Sequence, residues 1–543
     1  MSKHYYYVNT VHLFCVAKQI KYELRQGVAQ LVARTAGGRE VAGSSPVTLT
    51  NLRTMMIDTR CSTLEQMGEL TEKCAVFGIY AADSDVARLS YYGLSALQHR
   101  GQESSGIVTT DGDQFYSHIR PGLVAQAYND AAIAKLKGFA AIGHNRYSTS
   151  GAAHDAHGQP VLRSDDVIAL AHNGNIPSTT RLHDFLLERK VLKRGSNDTE
   201  MMTDAIRYWR YHGKTTVEAL LEVWDLLTGA FSCVILSRDS LIAFRDEYGI
   251  RPLSIGRLAN GGYVVASETC AFDIIGAKFE RDVLPGEIIE IEKGKLRSTQ
   301  ARPSQEKLEV FEYIYFARPD SMLQGQRVNE VRRRLGRILA QEAPVNADVV
   351  IPVPDSSIPA AIGYSEASGI EYDNGLIKNR YIHRTFISPG QELRERAVQM
   401  KLNPLPEVVE GRSVVLVDDS IVRGTTTKQI VAMVREAGAS EVHVRVSSPP
   451  VLYPDFYGIN TPDQSKLIAA RLSSATAIAQ EIGADSLGYM SVEGMLAAIE
   501  RPAESLCLAC FDGKYPIDLH ERREIVQKVV FERTPQKELP LSS

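Results

Sequence analysis

Two sets of residues in this chain have the types and spacing to do chemistry. The first is Val414-Val415-Leu416-Val417-Asp418-Asp419-Ser420-Ile421-Val422-Arg423-Gly424-Thr425-Thr426-Thr427. An apolar, β-branched run closes on two acids and a Gly/Thr turn, and 428–437 follows with a helical pattern that Gly438 stops. Backbone N–H groups at 424–427, at the start of a helix whose dipole favours anions, suit a phosphate, and the threonine hydroxyls add donors. Asp418 and Asp419, at the carboxyl end of a buried strand, suit ribose hydroxyls or a Mg²⁺ carried by pyrophosphate. A lone Asp-Asp pair would imply only a solvated strand end, but the fourteen-residue pattern is much more specific.

Nearby residues extend this reading. Pro352-Val353-Pro354-Asp355-Ser356-Ser357 offers hydroxyls and exposed N–H groups after a strand, as a pyrophosphate requires, where the bland alternative is a Pro-rich turn. The basic stretch 378–401 holds Lys378, Arg380, Arg384, Arg394, Arg396 and Lys401. It reads as a lid that closes cations over a leaving pyrophosphate, against the alternative of a solvated charged loop.

The second set begins at Cys74. Alone, such a cysteine is more often a core thiol than a nucleophile. Three motifs, each placed where a strand breaks into a loop, change that: 143–149 with Arg146, 171–176 with Asn173-Gly174, and 196–200 with Asp198. Arg146 suits an α-carboxylate and Asp198 an α-ammonium. The Asn173 amide and the Gly174 N–H suit an oxyanion, and a thiol attacking a carboxamide would release ammonia and leave a thioester for water to resolve. These are the parts that hydrolysis of a glutamine side chain needs.

The chain that must position these groups has 543 residues, too many for one core, which implies about two to four domains. Its 23% charged and 44% hydrophobic residues are ordinary for a globular protein, and a net charge of −4 offers no electrostatic case for nucleic acid. The sequence has no apolar run of bilayer length and no secretory pattern, so the expectation is a cytoplasmic protein without a membrane partner. Seven scattered cysteines argue against a disulfide scaffold. Residues 1–73 show no sustained periodicity and read as a leader or a start placed too far upstream, with Met55, Met56 and Met67 as later starts.

From Cys74 onward, strand patterns at 74–80, 140–143, 168–171, 231–236, 241–244 and 263–266 mix with helical patterns at 85–98, 180–190 and 200–211. That mixture implies a layered α/β or α+β domain over 74–300, ending in a polar linker at 298–307. Beyond it, strands at 311–317, 349–353, 414–417 and 442–447 alternate with helices, including a basic amphipathic one at 328–341. This is the pattern of a doubly wound parallel sheet with ligands at the carboxyl ends of its strands, over 308–516, before a polar tail at 517–543.

The quoted motifs resemble known families. Cys74-Ala75-Val76-Phe77-Gly78, 98–106, Arg146, Asn173-Gly174 and Asp198 resemble the N-terminal-nucleophile (class II) glutamine amidotransferases. That resemblance implies a four-layer αββα fold, Arg100 and Gly101 on a loop closing over glutamine, and removal of everything up to Lys73 so that the Cys74 α-amine serves as base. The 414–427 stretch resembles the phosphoribosylpyrophosphate (PRPP) loop of type I phosphoribosyltransferases. Together with Tyr315-Phe316-Ala317-Arg318-Pro319-Asp320-Ser321, Pro354-Asp355-Ser356-Ser357, Lys378-Asn379-Arg380-Tyr381 and Arg384-Thr385-Phe386, these motifs resemble the amidophosphoribosyltransferase family over most of 74–516. The resemblance implies 5-phosphoribosylamine made from PRPP and glutamine, the first committed step of purine synthesis. It implies Mg²⁺ at Ser321, Asp418 and Asp419, and PRPP at Ser356, Lys378, Arg380, Arg384, Asp418, Asp419, Ser420, Gly424, Thr425 and Thr426. A homotetramer inhibited by purine nucleotides, with ammonia passing internally beneath the 378–401 lid, is also implied.

Cys507-Leu508-Ala509-Cys510 is open to three readings: a redox pair, half a zinc site, or part of an iron–sulfur site. It resembles the [4Fe–4S]-bearing branch of the same family, which implies Cys270 as a further ligand and Asp455 where that branch has cysteine. Carboxylate is a harder ligand than thiolate. Two other functions compete with the main reading. An amidotransferase feeding ammonia to another acceptor is disfavoured by the PRPP-like loop, and a PRPP-sensing regulator by the intact Cys74, Asp418 and Asp419.

Overall fold

The computed structural model describes residues 74–147, 158–163, 167–193, 195–379, 401–457, 461 and 463–531. The 1–73 segment and lid residues Arg380 and Arg384 lie outside the described residues.

In the first half, strands buried on both faces build two stacked antiparallel sheets. Strand Ala75–Tyr80 sits centrally in a seven-stranded sheet, between Ala140–Arg146 and Tyr263–Ala266. Strand Ala169–Asn175 pairs with Ala230–Leu236 in a six-stranded sheet. Because successive side chains point to opposite faces, each strand serves two cores. Val76, Ile142, Ala171 and Val234 meet between the sheets. Ala75, Phe77 and Ile79 pack under helices Val86–Ala96 and Cys270–Ile275. Leu170, Phe231 and Ile235 pack under Thr180–Glu188, Asp198–Tyr211 and Thr216–Val223. The result is the expected four layers, helix, sheet, sheet, helix.

The second half is a four-stranded parallel sheet in the order Val349–Pro352, Ser413–Asp418, Glu441–Val446, Ser486–Tyr489. Val350, Val415 and Val417 face Leu335, Leu339 and Tyr364 of helices Val328–Glu342 and Ile358–Ser368. Val349, Ile351, Val414 and Leu416 face Ile430, Val431 and Ile478 of helices Thr425–Glu436 and Ala475–Ile482. Burial on both faces explains why these strands read as continuous apolar runs.

Two local expectations change. The stretch 311–317 is not a strand; Glu312–Phe316 forms a π-helical turn. Among the described residues no strand pairs with it. Instead the buried Arg332 guanidinium donates to the carbonyls of Tyr313 at 2.7 Å and Ala317 at 2.8 Å. The supposed linker also starts later, since strand Lys295–Gln300 runs into it. Past it, Leu308–Glu309 pairs in parallel with Leu506–Cys507, joining the C-terminal segment to the start of the second half. No helix among the described residues is long and apolar enough to cross a membrane.

Candidate functional site

Cys74 immediately precedes the central strand of the first sheet, half-buried, with its Sγ 3.9 Å from the carbonyl oxygen of Tyr147. The Ala75↔Asn145 register sets it beside Arg146, the last residue of the neighbouring strand. Ser267 connects this point to the second sheet. Its Oγ accepts from the Val76 N–H at 2.9 Å and from Asn173 Nδ2 at 3.4 Å. Asn173 is buried, and its Oδ1 has no hydrogen-bond partner among the described residues. Asp198 opens helix Asp198–Tyr211, where Asn197 and Glu200 form a capping box. Its Oδ2 accepts from the Ile176 N–H at 3.4 Å, just past the end of the Asn173-Gly174 strand. The structure thus brings Cys74, Arg146, Asn173, Gly174 and Asp198 to neighbouring strand and helix ends of the two stacked sheets.

Arg100, expected on a loop that closes over glutamine, lies deep in the fold. It ends a short 3-10 turn, Gln98–Arg100, and is fully buried, with both sides of its guanidinium taken by the carboxylates of Glu268 and Glu312. Ser321, for which the resemblance implies a Mg²⁺ role, lies beside Glu268. It is buried, and its Oγ donates to Glu268 Oε2 at 2.6 Å. Neither Glu268 nor Glu312 carried a functional signal in the sequence, because each matters through a partner far away along the chain.

At the other centre, strand Ser413–Asp418 delivers Asp418 and Asp419 to its carboxyl end, and both are buried. The Asp419 N–H donates to Asp418 Oδ1 at 2.9 Å. The Ser356 hydroxyl donates to Asp419 Oδ2 at 2.5 Å, Ser420 Oγ to Asp419 Oδ1 at 2.8 Å, and Ser357 Oγ to Asp418 Oδ1 at 3.4 Å. The Pro354-Asp355 turn and the acid pair therefore share one site, and Lys378 reaches it through an ion pair with Asp355 at 3.0 Å. Gly424 caps helix Thr425–Glu436 in the left-handed region at φ +79°, and a Cβ there would lie 2.4 Å from Ile468 Cδ1. The helix N-terminus can take up its position because that residue is glycine. Two carboxylates on hard, oxygen-rich ground suit the Mg²⁺ of a metal–pyrophosphate substrate.

The iron–sulfur set does not assemble. Cys270 starts helix Cys270–Ile275 in the core beneath the first sheet, its Sγ 3.9 Å from Ala96 O and from Glu268 Oε2. Cys507 lies in a separate small core with Phe456 and Tyr457. The residue that joins Cys507 through the Leu308–Glu309 pairing is Glu309, not Cys270. Burial, and then Glu309, raise the pKa of both Cys507 and Cys510 well above the ordinary thiol value, so both are held as neutral thiols. Asp455 Oδ1 accepts from the Tyr457 N–H at 2.9 Å. Among the described residues no three His, Cys, Asp or Glu side chains are placed to hold a metal. Two cysteines with two carboxylates supply only half of the four-thiolate set of a [4Fe–4S] cluster.

Comparison with known proteins finds both kinds of domain. A glutamine amidotransferase domain model matches residues 144–273 and a phosphoribosyl transferase domain model matches 320–448. The chain is 50% identical over 452 residues to an amidophosphoribosyltransferase of Synechocystis, covering 82% of this chain and 91% of that protein. It is 47% identical over 466 residues to the one of Bacillus subtilis, covering 84% and 97%. A solved structure described as the allosteric regulatory enzyme of purine biosynthesis superposes with a TM-score of 0.77 at 46% identity, covering 84% of this chain and 99% of the other. The B. subtilis glutamine PRPP amidotransferase complexed with ADP and GMP gives 0.76 at 46% identity, with the same coverage.

Burial, and then the adjacent Asp419 carboxylate, raise the Asp418 pKa well above the aspartate range. A carboxyl raised in this way contributes stability below its unfolded value of about 4, and that contribution is lost as pH rises through the folded value. At pH 8 Asp418 therefore penalises the empty fold. Asp418→Asn is expected to melt higher than the wild type at pH 8, with the gain shrinking toward pH 5; a lower melting temperature at pH 8 would contradict this.

Proposed function

The chain belongs to the amidophosphoribosyltransferase family, which uses glutamine and PRPP in purine biosynthesis, and from that premise we propose which of its residues perform each half of the reaction. The observation that carries the assignment is the convergence of Cys74, Arg146, Asn173, Gly174 and Asp198 at one pair of strand ends. We assign residues 74–300 to the glutaminase half and 308–516 to the phosphoribosyl half.

In the glutaminase half, Arg146 and Asp198 hold the amino-acid end of glutamine. The Cys74 sulfur attacks the side-chain carboxamide, and Asn173 Nδ2 with the Gly174 N–H stabilises the oxyanion that forms. Asn173 Nδ2 donates to Ser267 across a long 3.4 Å, so little is lost when it turns to the oxyanion. Ammonia leaves, and water resolves the thioester. The Cys74 α-amine acts as base, which requires residues 1–73 to have been removed or never made.

In the phosphoribosyl half, Asp418 and Asp419 take the ribose hydroxyls or the Mg²⁺ that accompanies PRPP, which offsets the cost of burying their charge. The N-terminus of helix Thr425–Glu436 holds the 5-phosphate, with Ser420, Thr425 and Thr426 as donors. Ser356 and Lys378 sit at the pyrophosphate, and Arg380 and Arg384 are assigned to the lid above it. Ammonia from the first site displaces pyrophosphate from the sugar and gives 5-phosphoribosylamine. The ADP and GMP bound to the B. subtilis relative support purine nucleotides as regulators here too.

No step is routed through iron. We read Glu309, Asp455, Cys507 and Cys510 as a metal-free joint, in which neutral thiols and a carboxyl group pack where the C-terminal segment meets strand Leu308–Glu309.

Cys74→Ser is expected to lower glutamine-dependent synthesis at least ~10³-fold while leaving synthesis from added ammonium within about twofold of wild type. Equal loss of both would remove the assignment of separate sites. Protein purified without exposure to oxygen is expected to be colourless, with iron and sulfide far below one per chain by elemental analysis; stoichiometric iron and sulfide would overturn the metal-free joint.

A further inference from the structure

The most heavily charged buried feature outside the reacting groups is a chain of carboxylates and guanidiniums that runs between the two halves. Arg100 is at its centre. Its Nε donates to Glu268 Oε1, and its two terminal nitrogens donate to the carboxylate of Glu312. All three side chains are fully buried. Glu268 follows the strand Tyr263–Ala266 of the glutaminase sheet, while Glu312 begins the π-helical turn that leads into the phosphoribosyl half.

Each carboxylate is fixed by further partners. Glu268 accepts from His99 at 2.7 Å, from the Arg318 N–H at 2.8 Å and from Ser321 Oγ at 2.6 Å. Glu312 also faces Arg251 at 3.5 Å. Burial pulls the Arg100 pKa down, but Glu312 and then Glu268 outweigh it and hold it above the ordinary arginine value. The cation is therefore permanent, and its position is set from both sides.

What Arg100 supports is visible in its neighbour. A Cβ on Gly101 would lie 2.6 Å from the carbonyl carbon and oxygen of Asn145 and 2.8 Å from the carbonyl carbon of Arg146. The Gly101 turn is thus pressed against the strand end that carries Arg146, and the Glu103 N–H donates to the Arg146 carbonyl at 3.0 Å. On the other side, the turn that carries Glu312 is held through its Tyr313 carbonyl by Arg332, whose pKa burial pushes down to about 10 against the field of Asp419. A set of buried contacts therefore leads from Arg332, through the Glu312 turn and Arg100, to the backbone of Arg146.

We propose that Glu268 and Glu312 are positioning residues that clamp Arg100 from the two halves of the chain, and so hold the Gly101 turn and Arg146 where glutamine binds. Glutamine affinity is then set jointly by both halves, and the glutamine site loosens whenever the 312–332 region moves. The inference rests on the assignment of Arg146 to glutamine made above. Glu312 acts through Arg100.

The test compares wild type, Glu312→Gln and Glu268→Gln as full chains, with steady-state synthesis measured from glutamine and from ammonium at saturating PRPP and Mg²⁺. Both variants are expected to raise the KM for glutamine about tenfold or more, with kcat changed less. Ammonium-dependent synthesis should stay within about twofold. Glu312→Asp, which keeps the charge, should recover part of the glutamine KM. Equal loss of the two activities in both variants, failure of both to fold, or an unchanged glutamine KM would each overturn the clamp. Wild type that makes product from neither nitrogen source would instead overturn the proposed function itself.

Discussion

The arrangement depends on one buried cation. Arg100 has no water to solvate it, and burying an unpaired guanidinium costs several kcal/mol. It is tolerated because Glu268 and Glu312 arrive from opposite sides, and they arrive only when the sandwich and the segment entering the parallel sheet are both folded and correctly apposed. The pair of ion pairs therefore acts more on specificity than on net stability. It selects the one relative placement in which both carboxylates meet the guanidinium. Other placements leave at least one of them uncompensated.

That constraint explains the division of work between the two centres. The glutaminase groups come from strand ends in two stacked sheets, and hydrogen bonds such as that between Ser267 and Asn173 keep them in register. The groups proposed for PRPP come from one strand end with its helix N-terminus, and from a serine-bearing turn about sixty residues earlier that the parallel pairing of Val349–Pro352 with Ser413–Asp418 brings alongside. Both centres depend on strand pairing, but the acid loop and its helix N-terminus are contiguous in the chain.

The same distinction governs what the sequence reveals. Local chemistry was legible: the apolar run into Asp418-Asp419, the Gly/Thr turn and the Asn173-Gly174 strand end all lie where their residue types imply. Contacts between distant residues were not. Arg100 and Glu312 are separated by 212 residues, so a basic residue in a glutamine-handling motif read as a ligand contact when it is a buried strut. The family resemblance implied Cys270 as a further iron ligand, yet nothing in the sequence says that a glutamate, Glu309, would be the residue beside Cys507. The 311–317 run misled for a third reason. Its alternating aromatics suit a strand, but strand geometry also needs a neighbour for its backbone, and here Arg332 supplies those hydrogen bonds instead.

The central claim is that one chain couples a thiol-dependent glutaminase to a phosphoribosyl site. It is tested most directly by measuring glutamate and pyrophosphate release together from glutamine, with and without PRPP and Mg²⁺. The account predicts that glutamate release rises strongly when PRPP and Mg²⁺ are both present and that the two products then appear in a ratio near one. Glutamate release that ignores PRPP, or pyrophosphate release without matching glutamate, would contradict it.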